Sequence, residues 1–114
     1  MSDCLFCEII AHRVPATFVL EDERAVAIRD INPQAPTHVL VMPREHITSA
    51  DALTAEHDVL WAELLRLVQR IARDEGIADR GYRIVANVGK FGGQTVDHLH
   101  LHVIGGRQMT WPPG

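Results

Sequence analysis

With 114 residues, the chain is one domain by length, and a chain of this size buries roughly two thirds of the surface it exposes when unfolded. Its 46% hydrophobic and 23% charged content is ordinary for a globular protein. A net charge of -4 argues against a nucleic-acid backbone or an anionic membrane surface as partner, so any bound phosphate must be gripped locally.

The start, Met1-Ser2-Asp3-Cys4, has neither the basic residues nor the apolar stretch of a signal peptide. No apolar run approaches bilayer length. A cytoplasmic location is expected, and with it two reduced cysteines. A Cys4–Cys7 bridge would in any case close a very small loop and remove little unfolded-state entropy.

Residues 4–11 carry Leu5, Ile9 and Ile10 and predict a short helix ending before Pro15. Residues 18–20 and 25–28 flank the polar turn Glu21-Asp22-Glu23-Arg24 and read as a β-hairpin. Asn32-Pro33-Gln34-Ala35-Pro36 is a loop, because two prolines block regular structure. Residues 38–42 form an apolar run ended by Pro43, a buried strand. One long helix is expected over residues 54–75. There Leu60, Leu64, Leu67, Val68 and Ile71 make one apolar stripe, and Gly76 is a natural stop. Its charges, Glu63, Arg66, Arg70, Arg73 and Asp74, read as a solvated face. Residues 82–88 are a further strand, followed by Gly89-Lys90-Phe91-Gly92-Gly93-Gln94-Thr95. The whole is a single α+β domain over residues 1–114 with a mainly antiparallel, five-stranded sheet, one long helix and one short helix.

The last strand holds the chemistry. His98, His100 and His102 alternate with Leu99, Leu101 and Val103, and three of the seven histidines fall within five residues. A period of two puts the imidazoles on one face and the aliphatic side chains in a core on the other. Neighbouring imidazoles then root about 6.8 Å apart. Four readings compete: half-buried polar residues with no role; three ligands of one metal; one histidine on a structural metal and two on substrate; or all three on substrate. The second is awkward, since the outer pair root nearly twice as far apart. The third is favoured by Cys4 and Cys7. Together with His46 and His98, this pair makes a four-ligand set typical of closed tetrahedral zinc. Two buried thiols are the plain alternative, and no thioredoxin-like pattern surrounds the pair.

His98-Leu99-His100-Leu101-His102-Val103-Ile104 resembles the signature of the histidine triad superfamily. Asp30-Ile31-Asn32-Pro33-Gln34-Ala35-Pro36-Thr37-His38 resembles the nucleoside-contacting segment of its Hint branch, and Gly92-Gly93-Gln94-Thr95 its phosphate loop. The tail from Gly105 to Gly114, with Trp111, is similar to the Hint C-terminus. The resemblance implies a homodimer whose subunits join their sheets, and hydrolysis of purine nucleoside 5′-phosphoramidates through a nucleotidyl-histidine. It implies no catalytic cofactor. Alternatives are a dinucleoside polyphosphate hydrolase or nucleotidyl transferase, and a nucleotide-binding adaptor.

Carried over by position, His100 is the expected nucleophile, and a neutral imidazole with pKa near ~6.5 is chemically suited to that task. His102 would donate to a phosphate oxygen, and His38 would support the triad. Gly93, Gln94 and Thr95 would position phosphate and leaving group, with Asn87 beside them. Asp30 would accept from the ribose hydroxyls, and Ile28 and Ile31 would flank the base, although a core role suits both nearly as well. Trp111 would close the neighbouring subunit's site. Cys4, Cys7, His46 and His98 would hold structural zinc, a pair of cysteines that animal Hint members generally lack. Thr95 replaces a more usual serine, and Arg29 is a less typical neighbour of Asp30.

Overall fold

Short β-forming runs, each bounded by turn residues, become five strands in the computed structural model, which describes residues 2–114. In chain order the elements are α1 (Leu5–Ile10), β1 (Phe18–Glu21), β2 (Ala25–Arg29), β3 (Thr37–Pro43), α2 (Asp58–Asp74), β4 (Tyr82–Val85) and β5 (Leu101–Gly105). The sheet order is β1-β2-β3-β5-β4, and every neighbouring pair is antiparallel. The β1–β2 turn is polar for a local reason. Asp22 Oδ1 accepts from the backbone N–H groups of Arg24 at 2.9 Å and Ala25 at 2.8 Å.

Strand alternation sorts side chains onto two faces. Ala25, Ala27, Val39, Val41, Leu99, Leu101 and Val103 pack with Leu60, Leu64, Leu67, Val68 and Ile71 of α2. Val26, Ile28, Leu40 and Met42 point the other way and pack with Phe6 and Ile9 of α1. The long helix therefore covers one face, while the short helix and the histidines share the other. Among the described residues, no helix is long and apolar enough to cross a membrane.

Three boundaries differ from expectation. α2 begins at Asp58, not at residue 54, because a 3-10 turn over Ala55–His57 precedes it. There the Thr54 backbone N–H donates to His57 Nδ1 at 3.0 Å, which closes the turn before the helix starts. β4 stops at Val85, where its ladder to β5 ends opposite His102, so residues 86–88 leave the sheet. β5 itself starts only at Leu101: His98, Leu99 and His100 lie in an unpaired segment ahead of it. Here Leu99 N–H bonds to Ile47 of the loop after β3 instead of to a strand. The two-faced alternation nonetheless extends back through all three histidines, since Leu99 sits in the α2 core.

Candidate functional site

Cys4 caps α1, its sulfur accepting from the Cys7 backbone N–H at 3.4 Å, and one helical turn brings the two thiols to the same end. His46 arrives from the loop after β3 and His98 from the segment before β5. Cys4 Sγ lies 3.4 Å and Cys7 Sγ 3.6 Å from His98 Nδ1, and Cys7 Sγ lies 3.4 Å from His46 Nδ1. All four donor atoms fall within 4.8 Å of one another. In a tetrahedral zinc site, ordinary Zn–S and Zn–N bond lengths place sulfur and nitrogen about 3.6 Å apart. The residues fit a metal. His98 is fully buried, and its Nε2–H donates to the Pro43 carbonyl at 2.8 Å, so Nδ1 presents its lone pair to the thiols. Burial and the adjacent Cys4 raise the Cys7 thiol above its ordinary pKa, a cost that a divalent cation between the sulfurs reverses.

The next histidine is set by the first. His100 Nδ1–H donates to the His98 carbonyl at 2.7 Å, which fixes the tautomer and leaves the lone pair on Nε2. Among the described residues no buried side-chain nitrogen or oxygen lacks a partner, so this unbonded Nε2 is open to solvent although the ring as a whole is buried. Desolvation lowers the pKa of His100 and holds the ring neutral.

A third group surrounds His102. The Gln34 backbone N–H donates to His38 Nδ1 at 3.1 Å, so the proton of His38 resides on Nε2. That nitrogen lies 2.9 Å from His102 Nδ1 and 3.3 Å from Asp30 Oδ2. His102 Nδ1 accepts, and its remaining proton is on Nε2. Desolvation, then repulsion from His100 and His38, pushes the pKa of His102 down to about 4. Asp30, His38 and His102 also bring donor atoms within 4.8 Å. They do not suit a cation, because a metal on His38 Nε2 would need the proton moved to Nδ1, against the Gln34 N–H.

The glycine loop is fastened from inside. Asn87 Nδ2 donates to the Gly92 carbonyl at 2.6 Å, and Gln94 Oε1 accepts from Gly89 N–H at 2.9 Å. Gln94 Nε2 donates to the carbonyls of Thr48 at 2.7 Å and Val96 at 3.0 Å. The side chains of Asn87 and Gln94 thus shape the loop. A Cβ on Gly92 would stand 2.3 Å from the Val88 carbonyl oxygen, and Gly93 has a φ of +79°, so both positions demand glycine. Thr95 is exposed and lines an open cavity of about 760 Å³, shared with Ser2, Cys4, Cys7, His46 and Asp97.

Ile28 is buried beside Phe6, whereas Ile31 is fully exposed, so the two isoleucines stand at different depths. Arg29 makes a two-pronged ion pair with Glu75 at the end of α2. The tail is tied down by Arg107 Nε, which donates to the Gln34 carbonyl at 3.0 Å, and by Arg83, which donates to the Thr110 carbonyl. Trp111 is 83% exposed. Phe6 went unnoticed in the sequence. Its buried ring meets His100 edge-on at 4.9 Å and His98 at 6.0 Å between centroids. Its place inside Cys4-Leu5-Phe6-Cys7 was the available signal.

Comparison with known proteins places this geometry. A protein-family model described as HIT domain matches residues 11–109. An uncharacterized HIT-like protein of Synechococcus elongatus is 49% identical over 112 residues, covering 98% of this chain and 97% of that protein. A 14 kDa zinc-binding protein of Zea mays is 45% identical over 115 residues, covering 99% and 89%. Among solved structures, a HIT family hydrolase from Legionella pneumophila superposes with a TM-score of 0.97 at 49% identity, over 98% of this chain and 100% of the other. A histidine triad nucleotide-binding protein from Candida albicans gives a TM-score of 0.81 at 26% identity, over 96% and 83%. With three alternating histidines and a five-stranded antiparallel sheet assembled as described, the chain belongs to the HIT domain family.

Proposed function

We propose that this protein hydrolyses the P–N bond of purine nucleoside 5′-phosphoramidates through a covalent nucleotidyl-His100. The observation that carries the reading is the His98 carbonyl bonded to His100 Nδ1–H at 2.7 Å, which leaves Nε2 with the free lone pair that a nucleophile needs. His100 Nε2 attacks the α-phosphorus, the P–N bond to the amine breaks, and the departing nitrogen takes up one proton from solvent. Water then attacks the same phosphorus, breaks the bond to His100 and gives up one proton, releasing the nucleoside monophosphate. His102 Nε2–H, held outward by the bond from His38, donates to a non-bridging oxygen as charge builds there.

Around this centre Asp30 accepts from the ribose hydroxyls, Ile28 and the exposed Ile31 flank the base, and Gly93, Gln94 and Thr95 with Asn87 form the phosphate end. The names of two relatives, a HIT family hydrolase and a histidine triad nucleotide-binding protein, support the hydrolase reading. Cys4, Cys7, His46 and His98 would hold zinc, which would neutralise two thiolates and tie α1 to the sheet, in keeping with the zinc-binding protein of maize. Two copies join through the edge of β4, which pairs only with β5 here, and the exposed Trp111 then reaches the neighbouring site. Steady-state turnover of an adenosine phosphoramidate, beside His100→Ala and mass spectrometry of the trapped adduct, tests the assignment. An adduct on another residue overturns it. Faster turnover of a dinucleoside polyphosphate would instead favour the hydrolase or transferase alternative, and binding without turnover an adaptor.

A further inference from the structure

The metal cluster and the nucleophile share more than a neighbouring backbone. Phe6 sits between the two cysteines on α1, and its ring is buried against both His98 and His100. The His100 ring has one polar restraint, the bond from Nδ1 to the His98 carbonyl, which fixes a direction but leaves rotation about that bond. The Phe6 ring stands at 87° to the imidazole, edge to face, and blocks that rotation on one side. The His102 ring is its other aromatic neighbour, 5.1 Å away between ring centroids. The position of Phe6 in turn depends on α1. That helix is six residues long, too short to be stable alone; Phe6 and Ile9 pack its inner face on Val26, Ile28, Leu40 and Met42, while both cysteines that face the cluster belong to its first turn or its cap.

We propose that Phe6 is a positioning residue through which metal occupancy at Cys4, Cys7, His46 and His98 sets the orientation of the His100 imidazole. The consequence for rate rests on His100 being the nucleophile, whereas the orientation itself does not. Zinc draws Cys4 and Cys7 to one point, the first turn of α1 is fixed, and the Phe6 ring is carried onto His100. A second route runs through the backbone of His98, whose ring faces the thiols and whose carbonyl holds His100. The experiment separates the two.

Wild type and Phe6→Leu are prepared with zinc and with cadmium, whose longer bonds to sulfur displace the cysteines while keeping the site filled and the chain folded. Elemental analysis gives the metal content, and ¹⁵N-resolved spectra of the imidazoles report the His100 ring. Exchange of zinc for cadmium is expected to shift the His100 ring resonances in wild type and to shift them less than half as far in Phe6→Leu. With zinc bound, Phe6→Leu is expected to lower kcat by about 3- to 10-fold, the loss of one aromatic contact, with KM changed less than twofold. Phe6→Tyr keeps the ring and is expected to restore the cadmium response. Equal shifts in wild type and Phe6→Leu would assign the coupling to the His98 backbone and overturn the role of Phe6. Unmoved His100 resonances in both would overturn the coupling altogether. Should an adduct form on a residue other than His100, the reading of function fails while the spectra still decide the proposal.

Discussion

Two clusters on the same face of the sheet each gather donor atoms within 4.8 Å, yet they suit different chemistry. At Cys4, Cys7, His46 and His98 the backbone takes up the outer nitrogen of His98, through Pro43, and turns a lone pair inward. At Asp30, His38 and His102 the backbone donates, through Gln34, and so turns a proton inward. The contrast shows that proximity does not decide whether histidines bind a cation or pass a hydrogen bond. The partner on the far side of each ring decides it, by choosing the tautomer. His100 lies between the two groups, held by a carbonyl from the first and flanked by the last ring of the second.

The strongest way to break this comparison is His100→Ala, which is expected to lower phosphoramidate turnover by at least about 10³-fold while zinc content and nucleotide binding persist. Loss of zinc in that variant would show the two clusters to be one unit. Cys7→Ser strikes the first cluster alone. Bound metal should fall to near zero, and stability by several kcal/mol, about the scale on which metal binding couples to folding, as read from urea midpoints. His38→Ala strikes the second: kcat is expected to drop about 10- to 100-fold with metal content unchanged.

A pH series sharpens the contrast further. His102 titrates at about 4 in the fold, against about 6.5 in an unfolded chain. Between those values the unfolded chain binds a proton that the folded one excludes. Its contribution is therefore complete above about 6.5 and is lost as pH falls toward 4. Denaturation at pH 7.5 and pH 5 should show this loss, and His102→Gln should reduce it, leaving the part that His100, also lowered by burial, contributes. The smallest effect is expected on the opposite face. The exposed Arg24–Glu63 pair, 3.0 Å apart, should cost no more than about 1 kcal/mol on Glu63→Ala, measured by the same midpoints.

Patterns of apolar spacing were legible where one face meets a core. The leucines of α2 announced the helix, and the alternation of Leu99, Leu101 and Val103 announced which way the histidines point. Boundaries were less so, because they depend on partners distant in the chain. Nothing local to Leu99 tells that its N–H will find Ile47 in a loop, and nothing in residues 86–88 tells that β5 offers no further register. The metal set could be assembled from residue types. Asn87 and Gln94 could not be read in the same way, since their amides turn inward to fasten the glycine loop. Phe6 carries no polar atom, so its residue type gives no sign of the two histidines that its ring meets.

The interleaving of His98, His100 and His102 with Leu99, Leu101 and Val103 bears on how this stretch can vary over evolutionary time. One residue inserted or deleted there would exchange the faces of everything on one side of it, driving imidazoles into the α2 core and leucines onto the face the histidines now occupy. Aliphatic swaps at the three core positions cost stability by degrees, but a change of length displaces the His100 imidazole and the helix packing together. Drift in this family should therefore alter the spelling of the segment long before its spacing.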